Sequence, residues 1–121
     1  MVAQDDDIRD QCIFCRIADG RAPAEVVHQD DAVVAFKDVN PQAPLHVLVI
    51  PRAHVADLAG LADLPSEYAG DIIKGVARVA ETIGNPSGYR VATNTGPNAG
   101  QTVMHLHFHL VSGRRFDWPP G

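Results

Sequence analysis

The run MHLHFHL, residues 104–110, decides how this chain is interpreted. Three of the six histidines, His105, His107 and His109, alternate within it with apolar side chains. Successive side chains of a β-strand point to opposite faces, so a strand here would carry three imidazoles on one face and a hydrophobic row on the other. The alternation therefore predicts a half-buried strand over residues 105–111. Three imidazoles on one face predict chemistry, either metal binding or phosphoryl handling.

The composition indicates one globular domain. The 121 residues are 45% hydrophobic and 21% charged, which is ordinary for a folded protein. The longest apolar run, residues 47–50, is far too short to span a bilayer, and the acidic N-terminus lacks a signal-peptide pattern, so we expect a cytoplasmic protein without membrane partners. A net charge of −5 argues against nucleic-acid binding but not against a local nucleotide pocket. We expect a disordered acidic tail over residues 1–10 and a single domain over 11–121.

Hydrophobic periodicity predicts five strands and two helices. The predicted strands cover residues 25–29, 32–37, 45–50, 89–95 and 105–111. A long helix is predicted over residues 65–83, with one apolar stripe at Leu64, Tyr68, Ile72, Val76, Val79 and Ile83. A short helix is predicted over residues 13–18. Strands mostly in meander order with one main helix predict an α+β fold whose sheet is mostly antiparallel.

Two further stretches supply candidate ligands. Cys12 and Cys15, in CIFC, have a spacing typical of metal or redox sites, and zinc would need about two more ligands. The loop GPNAGQT, residues 96–102, leads into the histidine run, and its main-chain N–H groups would suit an anion. Two interpretations therefore stay open: the histidines hold a catalytic zinc ion, or one imidazole attacks phosphorus and forms a covalent intermediate. The anion-binding loop favours the nucleophile.

At residues 105–111 the chain resembles the histidine-triad family, whose signature alternates three histidines with apolar positions. The stretch AFKDVNPQAPLHVLVIPRAH, residues 35–54, resembles the second block of that family. The ending SGRRFDWPPG, residues 112–121, resembles its Hint branch. This resemblance covers nearly the whole chain from Cys12 onward. It implies a single histidine-triad domain that forms a homodimer, in which two five-stranded sheets join into one of ten strands.

The resemblance also implies a reaction. The protein would be a nucleotide-binding hydrolase, a purine nucleoside phosphoramidase that releases AMP from an amine on the α-phosphate without an organic cofactor. His107 would attack phosphorus and become nucleotidylated, and water would hydrolyse that intermediate. His109 would donate to a phosphate oxygen, His46 would be a packing or proton-network partner, and Thr102 would contact the leaving group. The tail around Trp118 would reach the partner's active site.

The resemblance to the family also implies which residues bind the nucleotide and a metal ion. The implied nucleotide-binding residues are Phe14, Ile17, Phe36, Asp38, Val39, Asn94, Gly100, Gln101, Thr102, His107 and His109. Asp38 would hold the ribose hydroxyls, and the apolar members would line the base pocket, unless they are plain core. The resemblance implies a structural zinc ion on Cys12, Cys15, His54 and His105. His28 has no implied role and is predicted to be a surface strand residue.

The chain departs from the family pattern at two positions of the loop, and there are two alternatives to the phosphoramidase function. Thr102 stands where serine is frequent, and Ala99 where glycine is frequent, which affects the expected leaving-group preference rather than the reaction. A nucleotide sensor or scaffold without catalysis would keep the fold but not the turnover. A zinc-dependent hydrolase would use the triad histidines as metal ligands. Turnover of adenosine 5′-phosphoramidate separates the sensor from the enzyme.

Overall fold

The computed structural model describes residues 6–121. In chain order, its elements are α1 (Asp6–Gln11), α2 (Ile13–Ala18), β1 (Val26–Gln29), β2 (Val33–Lys37), β3 (Leu45–Pro51), a 3₁₀ helix (Leu58–Asp63), α3 (Ser66–Ile83), β4 (Tyr89–Ala92), a 3₁₀ turn (Pro97–Ala99) and β5 (Phe108–Ser112). Among the described residues, none of the helices is both long and apolar enough to cross a membrane.

The five strands form one antiparallel sheet in the order β1-β2-β3-β5-β4. The first three strands form a meander. The chain then crosses through α3 to the far edge, and β5 returns between β3 and β4. The turn between β1 and β2 is closed by Asp30, whose Oδ1 accepts the main-chain N–H groups of Ala32 and Val33 at 2.8 and 2.9 Å. The predicted α+β fold is confirmed.

Helix α3 covers one face of this sheet. The predicted apolar stripe is confirmed, since Ile72 and Val79 are fully buried among residues of β2, β3 and β5. Gly75 allows the close approach of α3 to β2: a Cβ atom there would lie 2.6 Å from Cγ2 of Val33. Gly84 caps the helix at its C-terminal end.

Helix α2 packs on the opposite face of the sheet. Phe14 and Ala18 contact a second cluster that includes Phe36, Leu48 and Ile50. Strand β3 therefore lies between two layers, with alternate residues buried on each side. A strand buried on both faces has no solvent-facing positions, which explains why its sequence is nearly all apolar.

Three predicted boundaries are wrong. Residues 6–10 belong to helix α1 rather than to a disordered tail, because the Arg9 side chain fixes that helix to Asp19 and to the main-chain oxygen of Arg52; residues 1–5 of the predicted tail lie outside the described part. Strand β5 begins at Phe108, three residues later than predicted. Strand β4 ends at Ala92 rather than at residue 95, because the hydroxyl of the next residue, Thr93, donates to the main-chain oxygen of His107.

Candidate functional site

The histidine run keeps its predicted two-faced character although regular pairing starts only at Phe108. Leu106, Phe108 and Leu110 are buried in the cluster under α3. The imidazoles face the other layer, where the Phe14 ring lies edge-on to His105 and His107, with ring centroids 5.9 and 5.2 Å apart. Helix α2 therefore forms one wall of the site.

The ring of His107 has a defined tautomer. Its Nδ1 lies 2.7 Å from the main-chain oxygen of His105, and a carbonyl oxygen only accepts, so Nδ1 carries the proton. The neutral ring then has its lone pair on Nε2. The hydroxyl of Thr93 donates to the main-chain oxygen of His107 at 2.8 Å, which fixes the backbone beside the ring. Nε2 of His107 therefore holds a lone pair that can act as a base, a ligand or a nucleophile.

His109 is the next ring along and is oriented by His46. The main-chain N–H of Gln42 donates to Nδ1 of His46 at 3.0 Å, so the proton of neutral His46 is on Nε2. That nitrogen lies 2.9 Å from Nδ1 of His109 and 3.4 Å from Oδ2 of Asp38. Nδ1 of His109 is therefore an acceptor, and its Nε2–H is left as a donor. The His107 and His109 ring centroids are 5.1 Å apart.

The surroundings of His109 favour its neutral form. Burial lowers the pKa of His109 below its ordinary value, and the neighbouring His107 and His46 lower that pKa further, while Asp38 opposes them. The lowered pKa therefore favours neutral His109, with Nδ1 as the acceptor and Nε2–H as the donor.

His105 faces away from these rings, toward the two cysteines. Its Nε2 donates to the main-chain oxygen of Pro51 at 2.9 Å, so its Nδ1 holds a lone pair. That Nδ1 lies 3.3 Å from Sγ of Cys12 and 3.4 Å from Sγ of Cys15, and Nδ1 of His54 lies 3.4 Å from Sγ of Cys15. A tetrahedral zinc ion would space nitrogen and sulfur ligands by roughly 3.6 Å.

The chemistry of this group fits a metal ion. Burial raises the pKa of the Cys15 thiol to about 12 and lowers the pKa of His105 to about 4. Buried imidazole is thus already in the neutral form that binds metal, whereas the thiol needs a nearby cation to lose its proton. The hydrogen bond from His105 to Pro51 supplies the outer contact that ligating histidines usually have. Cys12, Cys15, His54 and His105 therefore form a candidate metal site.

Residues 19–116 match the sequence model of the HIT domain. The chain belongs to the HIT domain family. That match includes all three histidines of the run and the loop that carries Asp38.

Three similar proteins illustrate the range of this HIT family. The crystal structure of a HIT family hydrolase from Legionella pneumophila is 42% identical, with a TM-score of 0.84, and the match covers 92% of this chain and 100% of that one. A histidine triad nucleotide-binding protein from Candida albicans is 34% identical, with a TM-score of 0.73, over 90% of this chain and 83% of that one. A 14 kDa zinc-binding protein from Zea mays is 41% identical over 111 residues, 90% of this chain and 87% of the relative.

The residues expected around a base and ribose gather at α2 and at the end of β2. The Phe14 and Phe36 rings pack edge-to-face with centroids 5.5 Å apart, and Ile17 packs against the same buried cluster. Val39 is 100% exposed, so no other described residue covers it. Asp38 is half-buried, and its Oδ1 accepts the main-chain N–H of Asn40 at 2.8 Å. The two aromatic residues are therefore part of the core as well as of the site wall.

The loop from Gly96 to Thr102 is braced from within by Gln101. That side chain is buried, accepts the N–H of Gly96 at 2.9 Å, and donates to the main-chain oxygens of Ala56 and Val103 at 2.8 and 3.1 Å. Its amide is thus committed to the protein rather than turned to a phosphate. Gly96 and Gly100 have φ of 86° and 89°, a left-handed backbone that glycine adopts readily. Thr102 is exposed and Asn94 is half-buried.

Sequence reasoning missed two residues that orient the imidazoles. Thr93 acts through a hydroxyl at the end of β4, and Gln42 acts through its main chain, which has no signature in residue type. His28, predicted to be a surface residue, is half-buried and lies 3.0 Å from Oδ2 of Asp30, away from the triad.

Two groups of metal-ligand side chains occur in residues 6–121, each with its donor atoms within 4.8 Å of one another. One is the cysteine–histidine group and the other consists of Asp38, His46 and His109. Neither group contains His107. The three histidines therefore do not converge on one point, which disfavours the interpretation that they jointly hold a catalytic zinc ion.

Proposed function

We propose that this HIT domain hydrolyses purine nucleoside 5′-phosphoramidates to the nucleoside monophosphate and an amine, through a covalent intermediate on Nε2 of His107. The observation that carries the proposal is the hydrogen bond from Nδ1 of His107 to the main-chain oxygen of His105. It leaves the nucleophilic lone pair on the opposite nitrogen. The names of the Legionella hydrolase and the Candida nucleotide-binding protein agree with this reaction class.

In the first step, Nε2 of His107 attacks the α-phosphorus. The new bond is Nε2–P and the bond that breaks is P–N; the departing nitrogen takes a proton from solvent and leaves as the amine. Negative charge grows on the phosphate oxygens, and Nε2–H of His109 donates to one of them. The exposed Thr102 hydroxyl lies in the loop that we expect at the leaving group.

In the second step, water attacks the same phosphorus atom. The Nε2–P bond breaks, the nucleoside monophosphate is released, and His107 returns to its neutral form. The ring is a good leaving group because it keeps its proton on Nδ1 and departs from Nε2 as neutral imidazole, while the attacking water releases a proton to solvent. The hydrogen bond to His105 holds the ring orientation unchanged through both steps.

The nucleoside would bind beside α2. Phe14, Ile17, Phe36 and Val39 supply the apolar surface for a base, and the Asp38 carboxylate would accept the ribose hydroxyls. Exposure of Val39 on the unbound protein supports a surface that a ligand covers. Main-chain N–H groups near Gly100 would hold the phosphate.

We further propose that Cys12, Cys15, His54 and His105 hold one structural zinc ion. The zinc-binding relative from Zea mays supports the choice of metal. Bound zinc would stabilise the thiolates and cross-link α2, the segment after β3 and the histidine run. The substrate would not contact it, since His105 points away from His107 and His109.

A homodimer is the remaining part of the proposal. Strand β4 is an edge strand with Tyr89 and Val91 exposed at 49% and 39%, and such an edge pairs readily with another strand. Pairing of β4 with the same strand of a second copy would give a ten-stranded sheet. Trp118, exposed at 83%, would then extend from one copy toward the site of the other.

Mass spectrometry after brief mixing with adenosine 5′-phosphoramidate tests the central claim. We expect an adenylate adduct on a peptide that contains His107, together with release of AMP. A sensor or scaffold would bind AMP but form no adduct and release no amine. A zinc-dependent hydrolase would release AMP without an adduct and would stop when a chelator removes the metal.

A further inference from the structure

The main chain of Gln42 is hydrogen-bonded on both sides. Its N–H donates to Nδ1 of His46 at 3.0 Å, and its carbonyl oxygen accepts Nε–H of Arg114 at 3.2 Å. Gln42 is in the loop between β2 and β3, whereas Arg114 follows β5. A single residue of this loop thus joins the histidine pair to the C-terminal segment.

The Gln42 N–H favours the proton on Nε2 of neutral His46, in the same sense as the Asp38 carboxylate 3.4 Å from that nitrogen. The other neutral tautomer, with hydrogen on Nδ1, would place two N–H groups facing each other at 3.0 Å and leave both without an acceptor. With Nδ1 held as an acceptor, Nε2–H of His46 donates to Nδ1 of His109. His109 then keeps its own proton on Nε2, where the proposed reaction needs a donor.

The same N–H disfavours a metal ion at this place. Asp38, His46 and His109 have the composition of a two-histidine, one-carboxylate site, and their donor atoms lie within 4.8 Å of one another. A metal on Nε2 of His46 would displace the proton from that nitrogen. Nδ1 cannot take the proton while it accepts from Gln42, so the ring would have to become an anion. At His105, by contrast, the Pro51 oxygen accepts the ring N–H and leaves Nδ1 open.

Arg114 is well placed to hold the Gln42 main chain in position. Its Nη1 donates to the main-chain oxygen of Arg115 at 3.0 Å, and its guanidinium carbon lies 4.2 Å from the ring centroid of Phe116. The neighbouring Gly113, at φ 92°, also packs against this loop, since a Cβ atom there would lie 2.9 Å from Cβ of Pro44.

We propose that the Gln42 main chain fixes the tautomers of the His46–His109 pair, a role called here the tautomer lock. Arg114 is the positioning residue that holds the Gln42 main chain in place. The proposal rests on the proposed function for its effect on turnover, but the tautomer of His46 is defined without any substrate. Arg114 would therefore influence the reaction although its side chain contacts neither His107 nor His109.

The first test compares two substitutions of Gln42 in the metal-loaded protein. Gln42→Pro removes the main-chain donor, whereas Gln42→Ala keeps it and loses only the side-chain contact to Asn40. Imidazole ¹⁵N chemical shifts report which nitrogens of His46 and His109 are protonated. We expect mixed tautomers for both rings in Gln42→Pro and the wild-type pattern in Gln42→Ala. An unchanged pattern in folded Gln42→Pro would overturn the lock.

The second test does not depend on a proline being tolerated. Arg114→Ala is compared with Arg115→Ala, which removes the adjacent exposed arginine whose nearest ion-pair partner, Asp117, lies at 4.0 Å. We expect mixed ¹⁵N tautomer signals and a kcat lowered on the order of tenfold in Arg114→Ala, with KM little changed. Arg114→Lys should recover part of both. Identical tautomer signals and kcat in Arg114→Ala and Arg115→Ala would refute the positioning role.

The two readouts separate this proposal from the proposed function. If the wild-type protein formed no adduct and released no amine, the proposed function would fail, but the ¹⁵N signals would still report the lock. If the wild-type protein showed normal turnover and adduct, but the His46 tautomer signals were unchanged in Gln42→Pro and Arg114→Ala, the tautomer lock would be refuted and the proposed function would stand.

Discussion

The main-chain oxygen of His105 accepts the Nδ1–H of His107 at 2.7 Å, while the ring of the same His105 faces Cys12 and Cys15. One residue therefore contributes to two sites, its ring to the candidate metal site and its backbone to the orientation of the proposed nucleophile, His107. A change at His107 leaves the ligand set intact, whereas a change at the cysteines keeps His107 but loosens the His105 backbone that orients its ring.

The first prediction concerns His107→Ala. We expect turnover of adenosine 5′-phosphoramidate to fall by at least about 10³-fold, because no other ring has its free lone pair in that position. AMP affinity, measured by calorimetry, should change little, and metal analysis should still find zinc. His28→Asn, which changes a histidine outside the site, is the control and should keep wild-type turnover. Loss of zinc from His107→Ala would indicate that the metal is on the catalytic histidine.

The second prediction concerns the metal site. Metal analysis should give about one zinc per chain in the wild-type protein and none in a Cys12→Ser/Cys15→Ser double variant. Thermal unfolding of the double variant should occur at least about 5 °C lower, because the cross-link between α2 and the histidine run is lost. Turnover should also fall, since the His105 backbone is then less fixed. Retention of one zinc per chain by the double variant would contradict the assignment.

The third prediction concerns the edge of the sheet. Light scattering should give a dimer mass for the wild-type protein and a monomer mass for Val91→Lys, because a two-fold axis would bring two like charges together at the paired β4 strands. Ile73→Lys is the matched control, since Ile73 is an exposed apolar residue of α3, 49% accessible, and does not belong to β4. A monomeric wild-type protein, or equal masses for the two variants, would exclude pairing through β4.

Residue types in the sequence were enough to predict the sheet, the long helix and the side of the strand that carries the histidines. The apolar run of β3 and the stripe of α3 follow directly from burial, which selects residue type. Gln42 acts through main-chain atoms, and Arg114 acts on a loop about 70 positions earlier in the chain. Such contacts leave no pattern in local sequence, because any residue supplies a main-chain N–H. The start of β5 was missed for the same reason, since the bonds that replace pairing there are made by Thr93 and the main chain near Val55.

The last prediction concerns the pH dependence of kcat/KM. The proposed reaction needs His109 neutral, with Nδ1 accepting from His46 and Nε2 donating to phosphate. Because burial lowers the pKa of His109, its neutral form persists below the ordinary value of about 6.5, so the acid limb attributable to this ring should have its midpoint below that pH. The charges of the neighbouring His107 and His46 lower the pKa of His109 further, in the same direction as burial.

Asp38→Asn tests the origin of that limb. The Asp38 carboxylate raises the pKa of His109, against the lowering by burial, so removal of its charge should move the acid limb to still lower pH. KM should rise as well, because the proposed ribose contact is weakened. The midpoint pH of the limb is compared between the proteins independently of the absolute value of kcat/KM. Asp63→Asn, an exposed carboxylate of the 3₁₀ helix, is the control and should leave the profile unchanged. An acid limb that stays in place or moves to higher pH in Asp38→Asn, or a wild-type limb with its midpoint at or above pH 6.5, would show that protonation of His109 does not control the reaction.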